Sequence, residues 1–154
     1  MTIAPGERLF CDTNVLLCAV DRKRPWNAQA LRVLDYFPNS GVELCISGQV
    51  IREFVAVCTR PISANGLGQP LAYALENVEA IMGRSTILEE TLDVTERLLS
   101  LVRTAGCSGK QVHDANIVAT MLGHRVNRLI TDNLTHFRRF GEIELVDLAA
   151  MPAS

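Results

Sequence analysis

Two hydrophobic periods alternate along the chain. Short continuous apolar runs, bounded by turn formers, predict buried strands at residues 8–12, at Glu43 to Ile46 and at Asn127 to Thr131. Ser85 to Leu88 predicts a further short strand, and Ile143 to Leu148 alternates as an edge strand does. Between these runs the apolar spacing is helical: Val15 to Val20, Trp26 to Phe37, Gly48 to Thr59, Pro70 to Met82, Thr91 to Ala105 and Val112 to Leu122, with a short helical turn at His136 to Phe140. Ser47 suits the N-cap of the third helix, Gly106 the C-cap of the fifth, and Gly123 the end of the sixth. Pro38-Asn39-Ser40-Gly41 predicts a stop, and Pro61 to Pro70 is the one long irregular stretch. No repeat, low-complexity tract or linker interrupts the series. Strands separated by helices predict one α/β domain over 1–154, a parallel sheet in a three-layer α/β/α arrangement.

Composition narrows the function classes. With 154 residues, 48% of them hydrophobic, the chain can build a core without disulfide staples. A net charge of -2 excludes a protein that coats nucleic acid by charge alone, but leaves room for a local basic patch. The five cysteines form no C-x-x-C pair, and four lie in apolar runs, which points to a reducing compartment. The first residues contain no apolar segment of the secretory kind, and no stretch reaches the ~20 apolar residues that span a bilayer. The expectation is a cytoplasmic protein with no membrane association.

The informative departure is four acids set beside or inside apolar segments: Asp12, Glu53, Asp114 and Asp132. Asp12 and Asp132 each end an apolar strand, and ligand sites of open α/β sheets lie at the carboxyl ends of strands. At about 3.6 residues per turn, Asp114 falls between Ile117, Met121 and Val118, in the middle of its helix's apolar stripe. A first-turn acid suits the helix macrodipole, but that does not explain an inward direction. Glu53 flanks the stripe of its helix while Arg52 faces away. Four carboxylates in one cleft repel by about 4 kcal/mol per pair at 4 Å and an effective dielectric near 20. A proton or a cation must neutralise them, and a hard divalent cation suits such a cluster.

In this order and spacing the residues resemble the PIN-domain ribonuclease family, in particular VapC-like toxins of type II toxin–antitoxin pairs. The resemblance runs from Leu9 to Leu148. It is carried by Leu9-Phe10-Cys11-Asp12-Thr13-Asn14-Val15-Leu16, Ser47 with Arg52-Glu53-Phe54, Val112-His113-Asp114-Ala115-Asn116-Ile117-Val118-Ala119, and Leu129-Ile130-Thr131-Asp132-Asn133 with Phe137. It implies a small α/β/α fold whose metal site, and catalytic set, is Asp12, Glu53 and Asp114 with Asp132 as the fourth. Many relatives carry the last acid one residue later, where this chain has Asn133. Either Asp132 serves, or Asn133 contributes an amide oxygen or a water contact. Thr13, Asn14, Thr131 and Asn133 are placed to orient the carboxylates or metal waters.

The implied activity is a Mg²⁺-dependent endoribonuclease, with Mn²⁺ as a possible substitute, hydrolysing RNA with a metal-activated water. The implied partners are RNA, a cognate antitoxin and a second copy, because the stripes of the Pro70–Met82 and Thr91–Ala105 helices exceed what one small core covers. Arg22, Lys23, Arg24, Lys110, Arg125, Arg138 and Arg139 are the candidate phosphate contacts; Trp26 is assigned to the core and His113 to packing or hydrogen bonding. The alternatives are an RNA-maturation nuclease without antitoxin and a non-catalytic binding module. An aspartyl phosphatase built on Asp12 is disfavoured by Asn14 standing two residues on. No P-loop, nucleophile elbow or Cys/His zinc set is present.

Overall fold

The computed structural model describes residues 2–153; the ends of the 1–154 domain reading, Met1 and Ser154, lie outside them. The strands are β1 (Arg8–Cys11), β2 (Glu43–Ser47), β3 (Thr86–Leu88), β4 (Arg128–Thr131) and β5 (Glu144–Asp147). They form one sheet of order β3-β2-β1-β4-β5, parallel throughout. In β1, β2 and β4 every residue after the first is buried. Successive side chains point to opposite faces, so both faces are covered, as parallel sheets require. The described residues contain seven α-helices: α1 (Thr13–Val20), α2 (Asn27–Asn39), α3 (Gly48–Thr59), α4 (Leu71–Met82), α5 (Leu92–Ala105), α6 (Gln111–Gly123) and α7 (Leu134–Phe137). Helix α1 packs on α2 and α3, α3 on α4, and α5 on α6.

Caps follow from residue type. Ser47 accepts from the Val50 amide and Thr91 from the Val94 amide, each completing a helix N-terminus. Gly106 takes φ +65 at the end of α5, a left-handed conformation that glycine adopts without strain.

Three local expectations need correction. Helix α2 does not stop at Pro38 but continues through it to Asn39, and the chain turns at Ser40-Gly41, where Gly41 has φ +83. Ser40 and Val42 both return their amides to the Phe37 carbonyl, which closes the last turn around the proline. Trp26 is not a core residue: it is the left-handed N-cap of α2 (φ 67) and is 41% exposed. The short helix after β4 begins at Leu134 rather than His136, because Asn133 leads directly into it. The Pro61–Pro70 stretch is less irregular than its composition, since Leu67 and Gln69 donate back to the carbonyls of Val57 and Cys58. Exposed Leu71, Tyr73, Leu75 and Met82 on α4, and Leu92 and Leu99 on α5, carry the surplus apolar surface expected of those helices. All five cysteines are free.

Candidate functional site

Chain order places the site. Strand β1 has β2 on one side and β4 on the other: the chain runs outward from β1 through β2 to β3, then crosses back to β4 and β5 on the opposite side. A crevice opens beyond the carboxyl ends of strands at such a switch point. Asp12 follows β1 and Asp132 follows β4, on adjacent strands whose register pairs Cys11 with Ile130. Asp12 is only 7% exposed. It caps α1, one carboxylate oxygen accepting from the Thr13 amide at 2.8 Å and the other from the Thr131 hydroxyl at 2.8 Å. Burial pushes the Asp12 carboxyl up to about 7; the Thr131 and Thr13 hydrogen bonds oppose that rise, while the charges of Asp132 and Glu53 add to it.

Glu53 reaches the same place from α3. Its Oε2 accepts the Thr13 hydroxyl at 2.7 Å and its Oε1 accepts from Gln49 Nε2 at 2.9 Å. Thr13 therefore joins the Asp12 and Glu53 sides of the cleft. Asp114 stands half-buried in the first turn of α6. Its carboxyl is also raised, by burial first and by Glu53, against the pull of His136, Arg139 and His113. Asp132 has the least settled polar environment: Oδ2 meets the Cys18 thiol at 3.9 Å, and Oδ1 is buried without a hydrogen-bond partner. Thr131 is fully buried and accepts the Asn133 amide at 3.0 Å, while the Asn133 side-chain amide turns toward the His136 ring. Asn14 follows in the first turn of α1, half-buried.

The candidate cations divide. Arg139 and His136 act electrostatically on Asp114, and Arg24, paired to Asp21 at 3.5 Å, acts on the Cys18 thiol beside Asp132. Arg125 belongs to the other end of the sheet, where it lines a surface hollow with Glu7, Arg8, Asn127, Arg128 and Glu144. His113 is exposed, and its carbonyl makes the link to α3 by accepting from Gln49 Nε2 at 2.9 Å. The residue pattern did not single out Gln49, Glu90 or Asn116, although all three join this polar network. The available signal was Gln49 one turn before Glu53, on the same helix face.

Donor chemistry decides what such a site can hold. The carboxylates, threonine hydroxyls and amides offer oxygen ligands, which suit Mg²⁺ or Mn²⁺ rather than zinc. Among the described residues, no three His, Cys, Asp or Glu side chains stand together as a ready-made ion cage. Mg²⁺ does not need one, since it keeps several waters and takes one or two carboxylates directly. The unpartnered Asp132 Oδ1 and the raised Asp12 carboxyl are the two features that a cation would satisfy.

A family profile described as PIN domain matches residues 9–143. No curated protein matches the sequence. Among solved structures, the chain resembles one from VapBC2 of Rickettsia felis bound to a DNA fragment from their promoter, with TM-score 0.69 and 15% identity, covering 91% of this chain and 98% of that one. It also resembles a chain of VapBC-1 from nontypeable Haemophilus influenzae, with TM-score 0.64 and 20% identity over 92% and 98%. A toxin–antitoxin complex from Klebsiella pneumoniae gives TM-score 0.62 and 21% identity over 91% and 97%. At these identities the likeness is one of fold.

Proposed function

The chain belongs to the PIN-domain family, and from that premise we propose that it is a metal-dependent endoribonuclease, the toxin of a toxin–antitoxin pair. The observation that carries the reading is the meeting of Asp12 and Asp132 at adjacent strand exits, with Glu53 tied in through Thr13 and one Asp132 oxygen left without a partner. Asp12, Glu53, Asp114 and Asp132 would hold Mg²⁺ or Mn²⁺. Asp132 suits the fourth place better than Asn133, whose amide is engaged with His136. When bound, the ion would supply Lewis-acid stabilisation of phosphate charge and lower the pKa of attacking water.

The chain's own groups do the rest. Thr131 and the Thr13 amide fix both Asp12 oxygens, so the carboxylate presents one orientation. The Thr13 hydroxyl and Gln49 do the same for Glu53. Arg139 and Arg24 supply positive charge near the acids for an RNA backbone, while the net charge of -2 leaves the remainder of the surface unattractive to it.

The solved relatives supply the support for an antitoxin partner, one being described as a toxin–antitoxin complex. The exposed apolar residues of α4 and α5 support a homodimer. No helix among the described residues is long and apolar enough to cross a membrane. The test is incubation of cellular RNA with purified wild type and Asp114→Asn, with Mg²⁺, Mn²⁺ or EDTA. Discrete metal-dependent fragments that vanish in the variant support the reading. Cutting that persists in Asp114→Asn, or in EDTA, contradicts it.

A further inference from the structure

Gln49 is 4% exposed, and each of its polar groups is committed. Its side-chain Nε2 donates both to Glu53 Oε1 and to the His113 carbonyl, each at 2.9 Å. Its Oε1 accepts from Asn116 Nδ2 at 2.6 Å, and its backbone amide donates to Glu90 Oε2 at 3.1 Å. The other Glu90 oxygen accepts from Asn116 Nδ2 at 2.8 Å. Glu90 lies just beyond β3, so a single polar network joins the end of that strand to the first turns of α3 and α6. The fit beside Gly48 is close: a Cβ there would meet Glu90 Oε2 and Arg52 Nη1 at 3.3 Å each.

We propose that Gln49 is the positioning residue that sets the distance between the Glu53 and Asp114 carboxylates for the cation. Its amide group touches Glu53 directly and reaches Asp114 through the adjacent His113 carbonyl, spanning α3 and α6 with two hydrogen bonds from one nitrogen. Because Asn116 and Glu90 hold the other end, the Gln49 amide cannot rotate to follow a displaced Glu53. The inference rests on the metal-site reading above. It adds a residue outside the four acids that decides how well they act together, as groups that orient ligands generally do.

The test is Mn²⁺ binding by calorimetry with the full-length protein, wild type against Gln49→Met and Asn116→Ala, with melting curves in EDTA. Gln49→Met keeps the length of the side chain and removes both hydrogen-bonding ends. The expected result is a dissociation constant raised about 10-fold or more for Gln49→Met, and less for Asn116→Ala, which leaves the bond to Glu53 in place. Leu101→Ala, a core change on α5, serves as the stability control and is expected to lower the melting temperature without moving the constant. If Gln49→Met does not fold, Asn116→Ala carries the test alone, with a weakened Mn²⁺ constant expected. Wild-type binding with an unchanged constant in the folded variants overturns the inference and leaves the nuclease reading standing. Absence of Mn²⁺ binding by wild type overturns both.

Discussion

The two ends of the sheet hold acids in opposite ways. At the amino ends of the strands, each carboxylate has a guanidinium beside it. Arg8 pairs with Glu43 at 2.6 Å, and Arg128 with Glu7 at 3.1 Å and Glu144 at 3.2 Å. The Thr86 hydroxyl and Arg8 hold Glu43 below its ordinary range. At the carboxyl ends, Asp12, Glu53 and Asp132 have hydroxyls, amides and one thiol for neighbours, Asp114 feels the charges of His136, Arg139 and His113, and the Asp12 carboxyl rises to about 7. One end spends its charges on one another; at the other, among the described residues, none of the four acids takes part in an ion pair. That asymmetry sets the two groups of carboxylates apart more sharply than burial alone.

Substitutions at the two ends should therefore dissociate activity from stability. Asp12→Asn is expected to reduce RNA cleavage by about 100-fold or more, while melting in EDTA stays level or rises because a buried repulsion is gone. Cleavage assays beside thermal melts check it, and an active Asp12→Asn enzyme would break the comparison. Thr131→Val removes the hydroxyl that fixes Asp12 and should weaken Mn²⁺ binding about 10-fold, which a titration reads directly. An unchanged constant would mean that the threonine only packs.

Acidity should act on the two ends with opposite sign. Asp12 has a folded value raised above its unfolded one, so its contribution to stability is complete at acid pH and is lost as pH rises through about 7. Glu43 is lowered on folding, so its contribution is present above its ordinary value and fades on acidification. In EDTA, Asp12→Asn should remove the decline of wild-type stability toward neutral pH, and urea titrations at several pH values would show it. The smallest effect belongs to Arg128→Ala: a loss of about 1 kcal/mol, typical of surface ion pairs, with cleavage rates unchanged. A substantial loss of cleavage would place that end of the sheet in the mechanism.

The elements were legible because their periods are clean. The strands that bury both faces are continuous apolar runs, and Asp12 and Asp132 stood out as the acids that end them. Asp114 was legible as a carboxylate inside an apolar stripe. Pro38 misled because a proline in the last turn costs little when the following amides find other carbonyls. Trp26 misled because its left-handed cap geometry sits at the surface, which no hydrophobic period reports. Gln49, Asn116 and Glu90 were not legible as a network for another reason: they lie far apart in sequence, and only folding brings them together.

The most direct test of the acidic end is whether a cation displaces the Asp12 proton. Mn²⁺ binding to wild type, measured by calorimetry near pH 7 in two buffers of different ionisation enthalpy, counts the protons released. The account predicts a buffer-dependent heat with net proton release in wild type, and less in whatever binding remains in Asp12→Asn. Binding without proton release, or equal release in the variant, would place the ion elsewhere and contradict it.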